Sequence, residues 1–154
     1  MNEDNGCLFC KIASGEIPSK KVYEDEKVFA FLDINPRNPG HTLVIPKKHF
    51  TTISDMSEEE YGELFSRAKY VANGVQKGTK SDGLSVVQSN GKAAGQVVTH
   101  VHVHLIPRYM SEGPVSLEGV LSVKKFPDET LDSVASSIKG SIGKSSEKKE
   151  EYDF

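Results

Sequence analysis

The chain has 154 residues, of which 36% are hydrophobic and 27% charged, a composition typical of a globular domain with a real core. Lys and Arg number 19 against 22 Asp and Glu, and the resulting charge of -3 excludes a strongly basic protein that coats nucleic acid. No apolar run approaches the roughly 20 residues of a membrane helix, and residues 1–6 do not resemble a secretory signal. We expect a cytoplasmic protein, with the nucleus as the alternative, and neither membrane nor nucleic acid as partner.

The first half of the chain is predicted to alternate short strands with turns. Residues 1–6 form a loose tail, and a short helix is expected over 7–12. Strands are predicted at 21–25 and 27–33, joined by a tight turn. The turn-rich segment 35–40 forms a loop before a short apolar strand at 41–46.

The second half contains two predicted helices. A capping box of Ser57 and Glu60 opens the first, at 58–76, where apolar residues recur with helical spacing and Gly78 is a stop signal. Strands follow at 84–88 and 97–107, separated by a Gly-rich loop, and a loop is expected at 110–127. A second helix begins near Asp128, which is expected to cap it. Its apolar face is Leu131, Val134, Ala135, Ile138 and Ile142.

These elements favour an α+β domain with one antiparallel sheet, because strands outnumber helices and short links join the first three strands. We predict a single domain over 7–142. The charged, Ser-rich residues 143–154 form a tail that is expected to be disordered.

Three histidines alternate along the last predicted strand, at His100, His102 and His104. Since side chains alternate across a strand, all three should lie on one face. This pattern fits two chemistries. Histidines at such spacing can bind Zn²⁺. Alternatively, a neutral imidazole can attack phosphorus, while neighbouring N–H groups hold the phosphate oxygens. The Gly-rich segment 91–96 just upstream favours a phosphate.

A Cys-x-x-Cys pair, Cys7 and Cys10, lies at the start of the predicted domain. In a reducing compartment such a pair is half of a metal site or a redox pair, with two buried thiols as the remaining alternative. A Cys₂His₂ site would need two of the five histidines, and spacing alone does not choose them.

Together these residues resemble the histidine triad (HIT) family of nucleotide hydrolases and transferases. The similarity covers about residues 7–109 and includes Gly95-Gln96 before the histidine triad. It also includes Phe31-Leu32-Asp33-Ile34 and the segment from Pro39-Gly40-His41 to His49. The resemblance implies a HIT-like fold with a five-stranded antiparallel sheet and two main helices, paired as a homodimer.

The resemblance also implies the roles of particular residues. His102 is the nucleophile that forms a nucleotidyl-histidine intermediate, His104 hydrogen-bonds the phosphate, and His41 supports the triad. Asp33 accepts hydrogen bonds from the ribose. The purine slot consists of Leu8, Phe9, Ile12, Phe31 and Ile34. Gly95 and Gln96 belong to the loop that faces the phosphate, which we call the phosphate loop. Ser89 and Val97 lie on the side of the leaving group. The ligands of a structural Zn²⁺ are Cys7, Cys10, His49 and His100.

Two positions depart from the family pattern. Val97 stands where Ser or Thr is usual, and Ser89 stands where Asn or Gln is usual. The activity implied is cleavage of nucleoside phosphoramidates or dinucleoside polyphosphates, with an AMP- or GMP-type purine nucleotide as ligand. The two departures leave a nucleotide-binding or scaffold protein with weak catalysis as an alternative. A catalytic zinc hydrolase that uses the three triad histidines as ligands is a further one.

Overall fold

The structure is a computed structural model that describes residues 6–113 and 117–143. Five strands form one sheet in the order β1-β2-β3-β5-β4, and every neighbouring pair is antiparallel. The strands are β1 Lys21–Glu24, β2 Val28–Leu32, β3 Thr42–Pro46, β4 Gly83–Val87 and β5 Val103–Arg108. The helices are α1 Leu8–Ala13, α2 Glu58–Thr79, α3 Leu117–Val120 and α4 Asp128–Ser141. The expected five-stranded antiparallel sheet is confirmed.

The described residues fall into two units, 6–112 and 113–143. The first contains the whole sheet with α1 and α2, and the second contains α3 and α4. None of the described helices is both long and apolar enough to cross a membrane. The tail predicted at 1–6 lies outside the described residues except for Gly6, and the tail predicted at 143–154 does so except for Gly143.

The two faces of the sheet are covered by different helices, because successive residues of each strand point to opposite sides. Val28, Ala30 and Val44 belong to the core under α2, which also contains Val103 and Leu105 of β5 and Val101 just before it. The alternate residues of β2 and β3 pack under α1 in a second cluster, which contains Phe29, Phe31, Leu43 and Ile45. His104 pairs with Leu43 across the sheet, which puts its side chain on the α1 face.

The ends of α2 and β5 differ from the sequence prediction. The capping box is present, with Ser57 Oγ accepting from the Glu60 N–H and Glu60 Oε1 accepting from the Ser57 N–H. Gly78 does not stop α2, which continues to Thr79 and ends where Lys80 turns left-handed. β5 begins at Val103 instead of Val97, because the chain before it bonds elsewhere; the Val101 N–H donates to the Phe50 carbonyl.

The second unit also departs in detail from the prediction. α3 lies within the predicted loop 110–127. α4 begins at Asp128, as expected, but Pro127 occupies the capping position and no side chain caps the helix. Half or more of each large side chain on the predicted apolar face is exposed, at Leu131, Val134, Ile138 and Ile142.

Candidate nucleotide and metal site

The three triad histidines lie side by side on the α1 face, but they have different neighbours. The rings of His102 and His104 have centroids 4.9 Å apart. His100 is fully buried, His102 is nearly so, and His104 is partly open. Only His104 is in a regular strand. The alternation along the sequence therefore predicts the shared side correctly, although the strand is shorter than expected.

His100 faces a group of four potential metal ligands. Its Nδ1 lies 3.3 Å from Cys7 Sγ, 3.5 Å from Cys10 Sγ and 3.1 Å from His49 Nδ1. Cys10 Sγ also lies 3.4 Å from His49 Nδ1. All four donor atoms are within 4.8 Å of one another. The structure thus brings together, in an arrangement that could hold a metal ion, the four residues that the resemblance implies as ligands.

Hydrogen bonding fixes the orientation of the His100 ring. Its Nε2 lies 2.8 Å from the Pro46 carbonyl oxygen, and only a protonated Nε2 can donate there. The lone pair is therefore on Nδ1, which faces the cysteines. Burial lowers the pKa of His100 to about 4, so the ring is neutral at pH 7. A metal-binding histidine requires this neutral tautomer and a partner for its other nitrogen.

His102 is held in the opposite tautomer. Its Nδ1 lies 2.7 Å from the carbonyl oxygen of His100 and must donate to it, which leaves the lone pair on Nε2. Burial lowers the pKa of His102, although the bond to His100 and the charge of Asp33 oppose that shift. The ring of Phe9 packs edge-on against it, with centroids 5.2 Å apart. At neutral pH the imidazole therefore has an available nucleophilic nitrogen.

His104 ends a chain of hydrogen bonds that begins in the loop after β2. The Arg37 N–H donates to His41 Nδ1 at 3.1 Å, so the proton of His41 is on Nε2. His41 Nε2 in turn lies 2.9 Å from His104 Nδ1 and donates to it. The proton of His104 is consequently on Nε2. The sequence does not reveal this role of the Arg37 backbone, because a turn-rich loop does not show the direction of its N–H groups.

Burial also keeps this pair neutral. It lowers the pKa of His104 to about 4, with further lowering from His102 and His41, while Asp33 acts in the opposite direction. Burial lowers the pKa of His41 as well, again against the charge of Asp33. Asp33 Oδ2 lies 3.6 Å from His41 Nε2. Because His41 and His104 are both neutral, His41 donates to His104 Nδ1, and His104 Nε2–H remains a hydrogen-bond donor at neutral pH.

The expected purine-slot residues are not equally accessible. Phe9, Ile12 and Phe31 are buried in the cluster beneath α1, and the rings of Phe9 and Phe31 meet edge to face. Leu8 is 45% exposed and Ile34 is 87% exposed. Of this set, therefore, Leu8 and Ile34 present most of the apolar surface to solvent.

The loop before the triad is held together by Gln96. This buried side chain accepts from the Gly91 N–H at 2.8 Å and donates to the carbonyls of Thr51 at 2.7 Å and Val98 at 3.1 Å. Its amide therefore already has three partners within the protein. Gly95 is exposed in a left-handed conformation, and the side chain of Val97 is 88% exposed. Ser89 is partly buried, and its carbonyl accepts from Gln88 Nε2.

Potential metal ligands near the histidine row, which consists of His100, His102 and His104, form two separate groups. One group is the cysteine–histidine tetrad, and a second contains Asp33, His41 and His104. Within 6–113 and 117–143, no group joins all three triad histidines around one cation. The geometry consequently gives no support to a zinc hydrolase with the three triad histidines as ligands, and it leaves His102 outside both groups.

The fold and site together define an α+β protein with a row of neutral histidines on one sheet face, next to a cysteine–histidine tetrad. The family model of the HIT domain matches residues 14–111. The chain belongs to the HIT family.

Individual relatives agree with this assignment. An uncharacterized HIT-like protein of Methanocaldococcus jannaschii is 48% identical over 134 residues, which cover 87% of this chain and 99% of that one. The adenosine 5'-monophosphoramidase of Saccharomyces cerevisiae is 45% identical over 105 residues, 68% of this chain and 64% of the yeast protein. The crystal structure of SMU.412c from Streptococcus mutans UA159 superposes with a TM-score of 0.80 at 47% identity, covering 90% of this chain and 86% of that one.

Proposed function

We propose that the protein is a purine nucleotide hydrolase or transferase that cleaves at an α-phosphate through a covalent nucleotidyl-His102 intermediate. The observation that carries this proposal is the 2.7 Å bond from His102 Nδ1–H to the His100 carbonyl, which leaves the Nε2 lone pair available for attack. The proposed substrates are nucleoside phosphoramidates or dinucleoside polyphosphates. The yeast relative, named for its phosphoramidase activity, supports the first class.

The reaction takes place in two displacements. His102 Nε2 donates its lone pair to the α-phosphorus, and the bond to the leaving group breaks with its electron pair on the departing nitrogen or oxygen. A departing amine takes up a proton from solvent as it leaves. Water then attacks the same phosphorus and loses a proton to solvent, while the P–N bond breaks and its electrons return to the imidazole. His104 Nε2–H is available to donate to the phosphate oxygens, where negative charge develops. His41 positions His104 through the 2.9 Å bond between their rings.

Nucleotide binding would use groups that surround the row. Asp33 is partly buried and accepts from the Asn35 N–H at 2.8 Å through Oδ1. We place the ribose hydroxyls on this carboxylate, because ionised oxygens have capacity for more than one donor. Leu8 and Ile34 offer exposed apolar surface for the purine, with the Gly95 backbone facing the phosphate. Gln96 acts indirectly, by holding the phosphate loop.

We propose zinc as the metal of the tetrad Cys7, Cys10, His49 and His100. A tetrahedral zinc ion, with Zn–S of about 2.3 Å and Zn–N of about 2.0 Å, holds such donors roughly 3.3–3.8 Å apart. The separations of 3.1–3.5 Å between these atoms lie close to that range. Four protein ligands leave the ion no position for substrate. Its contribution is to tie α1 to the segment that carries His102.

We also propose a homodimer joined through β4. This strand has only β5 as a neighbour within the described sheet, and its sequence Gly-Leu-Ser-Val-Val carries no charge. Val86 is 53% exposed there. Uncharged, regular edge strands are uncommon on monomers, because they pair with other chains.

The covalent step is tested with His102→Ala on an AMP phosphoramidate and on diadenosine polyphosphates. We expect turnover to fall by at least about 1,000-fold, because no other group replaces the attacking nitrogen. Rapid quenching of the wild-type reaction with intact mass measurement should show one added nucleotidyl group. AMP binding by calorimetry serves as the folding control. Retained turnover in the variant contradicts the mechanism.

Val97 favours one alternative, a nucleotide-binding protein with weak catalysis. Its exposed side chain offers no hydroxyl to a leaving group, where the family usually has Ser or Thr. Tight AMP binding without turnover over both substrate classes would support this alternative. Multiple turnovers by the wild type would exclude it.

A further inference from the structure

We propose that Cys7 and Cys10 form a peroxide-sensitive modification site, whose oxidation to a disulfide releases the metal and lowers nucleotide affinity. This inference rests on the proposed function, because it assumes a metal-loaded tetrad and nucleotide binding beside His102. It adds a regulatory input to that site, with a hydroperoxide as the reacting class of molecule.

The two sulfurs are placed for rapid pairing. Cys7 caps α1 and Cys10 lies in its first turn, where the Cys10 N–H contacts Cys7 Sγ at 3.4 Å. Both sulfurs belong to a group whose donor atoms lie within 4.8 Å of one another. The two sulfurs of a disulfide are about 2 Å apart. Because both cysteines lie at the start of α1, the movement that brings their sulfurs together is confined to one turn of the chain. Cys10 is the more accessible of the two, since Cys7 is buried.

The oxidation balances with one hydroperoxide. The Cys10 thiolate attacks the peroxide oxygen, the O–O bond breaks, and a sulfenic acid forms while hydroxide takes up a proton and leaves as water. The Cys7 thiolate then attacks the Cys10 sulfur and displaces a second hydroxide, which also becomes water. The two sulfurs lose two electrons in total and the peroxide gains them. The disulfide sulfurs no longer carry the charge that binds the metal, which is released.

Two contacts connect this site to the nucleophile. Phe9 lies between the cysteines in sequence, and its ring packs against the rings of both His102 and His100, at centroid distances of 5.2 and 6.0 Å. His100 is a tetrad member through Nδ1, and its own carbonyl holds His102 Nδ1 at 2.7 Å. Movement of α1 or of His100 therefore acts directly on the position of His102.

The experiment uses full-length protein, reduced and loaded with one equivalent of Zn²⁺, then treated with hydrogen peroxide. We expect release of the zinc to a chromophoric chelator, in step with an intact-mass loss of two hydrogens and a mapped Cys7–Cys10 disulfide. AMP affinity by calorimetry should fall about 10-fold, and turnover about 100-fold, because a small misplacement of reacting groups is costly. Dithiothreitol with fresh Zn²⁺ should restore all three properties.

The controls separate this inference from its alternatives. Restoration by dithiothreitol excludes damage at Met56 or Met110, because a thiol reductant of this kind leaves methionine sulfoxide in place. The double variant Cys7→Ser/Cys10→Ser should show AMP binding that peroxide does not change. Should that variant fail to fold, the reversibility of the wild type carries the test.

Different results would contradict different proposals. Failure of the reduced protein to bind zinc would overturn the metal site, and with it this inference. Zinc that binds but stays bound through stoichiometric peroxide would overturn the inference alone. So would zinc release with unchanged AMP affinity. Loss of turnover in His102→Ala is independent of all these results.

Discussion

Because His104 is held neutral in the folded protein, the stability of the fold decreases at low pH. The pKa of His104 is lowered to about 4 in the folded protein, against 6.5 for an ordinary histidine, and burial is the main cause. Between these two values the unfolded chain binds the extra proton and the folded chain does not. Stability is therefore fully present above about pH 6.5 and falls as the pH decreases toward 4.

The corresponding test compares wild type with His104→Gln. We expect the urea midpoint of the wild type to fall between pH 7 and pH 5, and the variant to show a smaller fall, since one proton-linked group is absent. Intrinsic fluorescence of the tyrosines or circular dichroism follows the transition. An equal fall in both proteins would show that His104 titrates normally in the folded state.

The position of Gln96 in the loop before the triad can be predicted from the sequence, but its hydrogen-bond partners cannot. The resemblance places it at the phosphate, whereas the structure shows its buried amide bonded to Gly91, Thr51 and Val98. We expect Gln96→Ala to lower the free energy of unfolding by about 1–3 kcal/mol, because buried backbone groups lose their partners. Lys92→Ala, on an exposed residue of the same loop, is the control. Loss of AMP affinity without loss of stability would favour direct contact with phosphate.

At the scale of elements, the close approach of α2 to the loop before β3 depends on Gly40. Gly40 has φ of +95°, and a Cβ there would collide with Thr79 Cγ2 at the end of α2. Gly40→Ala should therefore destabilise the protein by about 1–3 kcal/mol. Gly62→Ala provides the opposite control, because Gly62 is in α2 and a Cβ added there would meet no atom within 4 Å. That change should stabilise by about 0.5–1 kcal/mol.

Denaturant unfolding of the two variants checks the pair. Both changes add the same methyl group. Opposite effects on the free energy of unfolding would therefore come from backbone conformation and the contact with Thr79, not from the chemistry of the added group. Unchanged stability in Gly40→Ala would mean that Thr79 moves aside without cost.

The sequence predicts elements well where the signal is local. The capping box of Ser57 and the short apolar runs of β2 and β3 are local signals, and the structure has all three elements. The start of β5 depends on distant groups, namely the carbonyls of Phe50 and Pro46, which take the Val101 N–H and the His100 ring. No pattern within residues 97–107 reveals those partners, so the predicted strand is too long.

The same distinction applies to the candidate site. Residue spacing is enough to mark the histidine row and the Cys-x-x-Cys pair, and the family resemblance joins Cys7 and Cys10 to His49 and His100. Residue spacing is not enough to assign the tautomers of the histidines, because these depend on the Arg37 N–H and the His100 carbonyl. Accessibility is also missed: Phe9, Ile12 and Phe31 are core residues in the structure, and Ile34 is largely exposed.

For the whole molecule, the two edges of the sheet differ in how well they resist pairing. β1 carries Lys21 and Glu24, which form an ion pair at 3.1 Å, and its register with β2 shifts between Lys21 and Tyr23. Charges and bulges of this kind protect an edge. β4 has neither feature, and it pairs with β5 in unbroken register from Gly83 to Val87. This asymmetry selects β4 as the edge through which two copies would join.

The proposed dimer is therefore tested by placing one charge on each edge. Val86→Lys introduces an ammonium group at the β4 edge, where pairing would bury it, and we expect light scattering to show a dimer for the wild type and a monomer for this variant. Val22→Lys is the matched control, because Val22 in β1 is exposed to a similar degree, 49% against 53%. It should leave the dimer intact. Circular dichroism verifies that both variants fold. A monomeric wild type, or dissociation by Val22→Lys alone, would contradict assembly through β4.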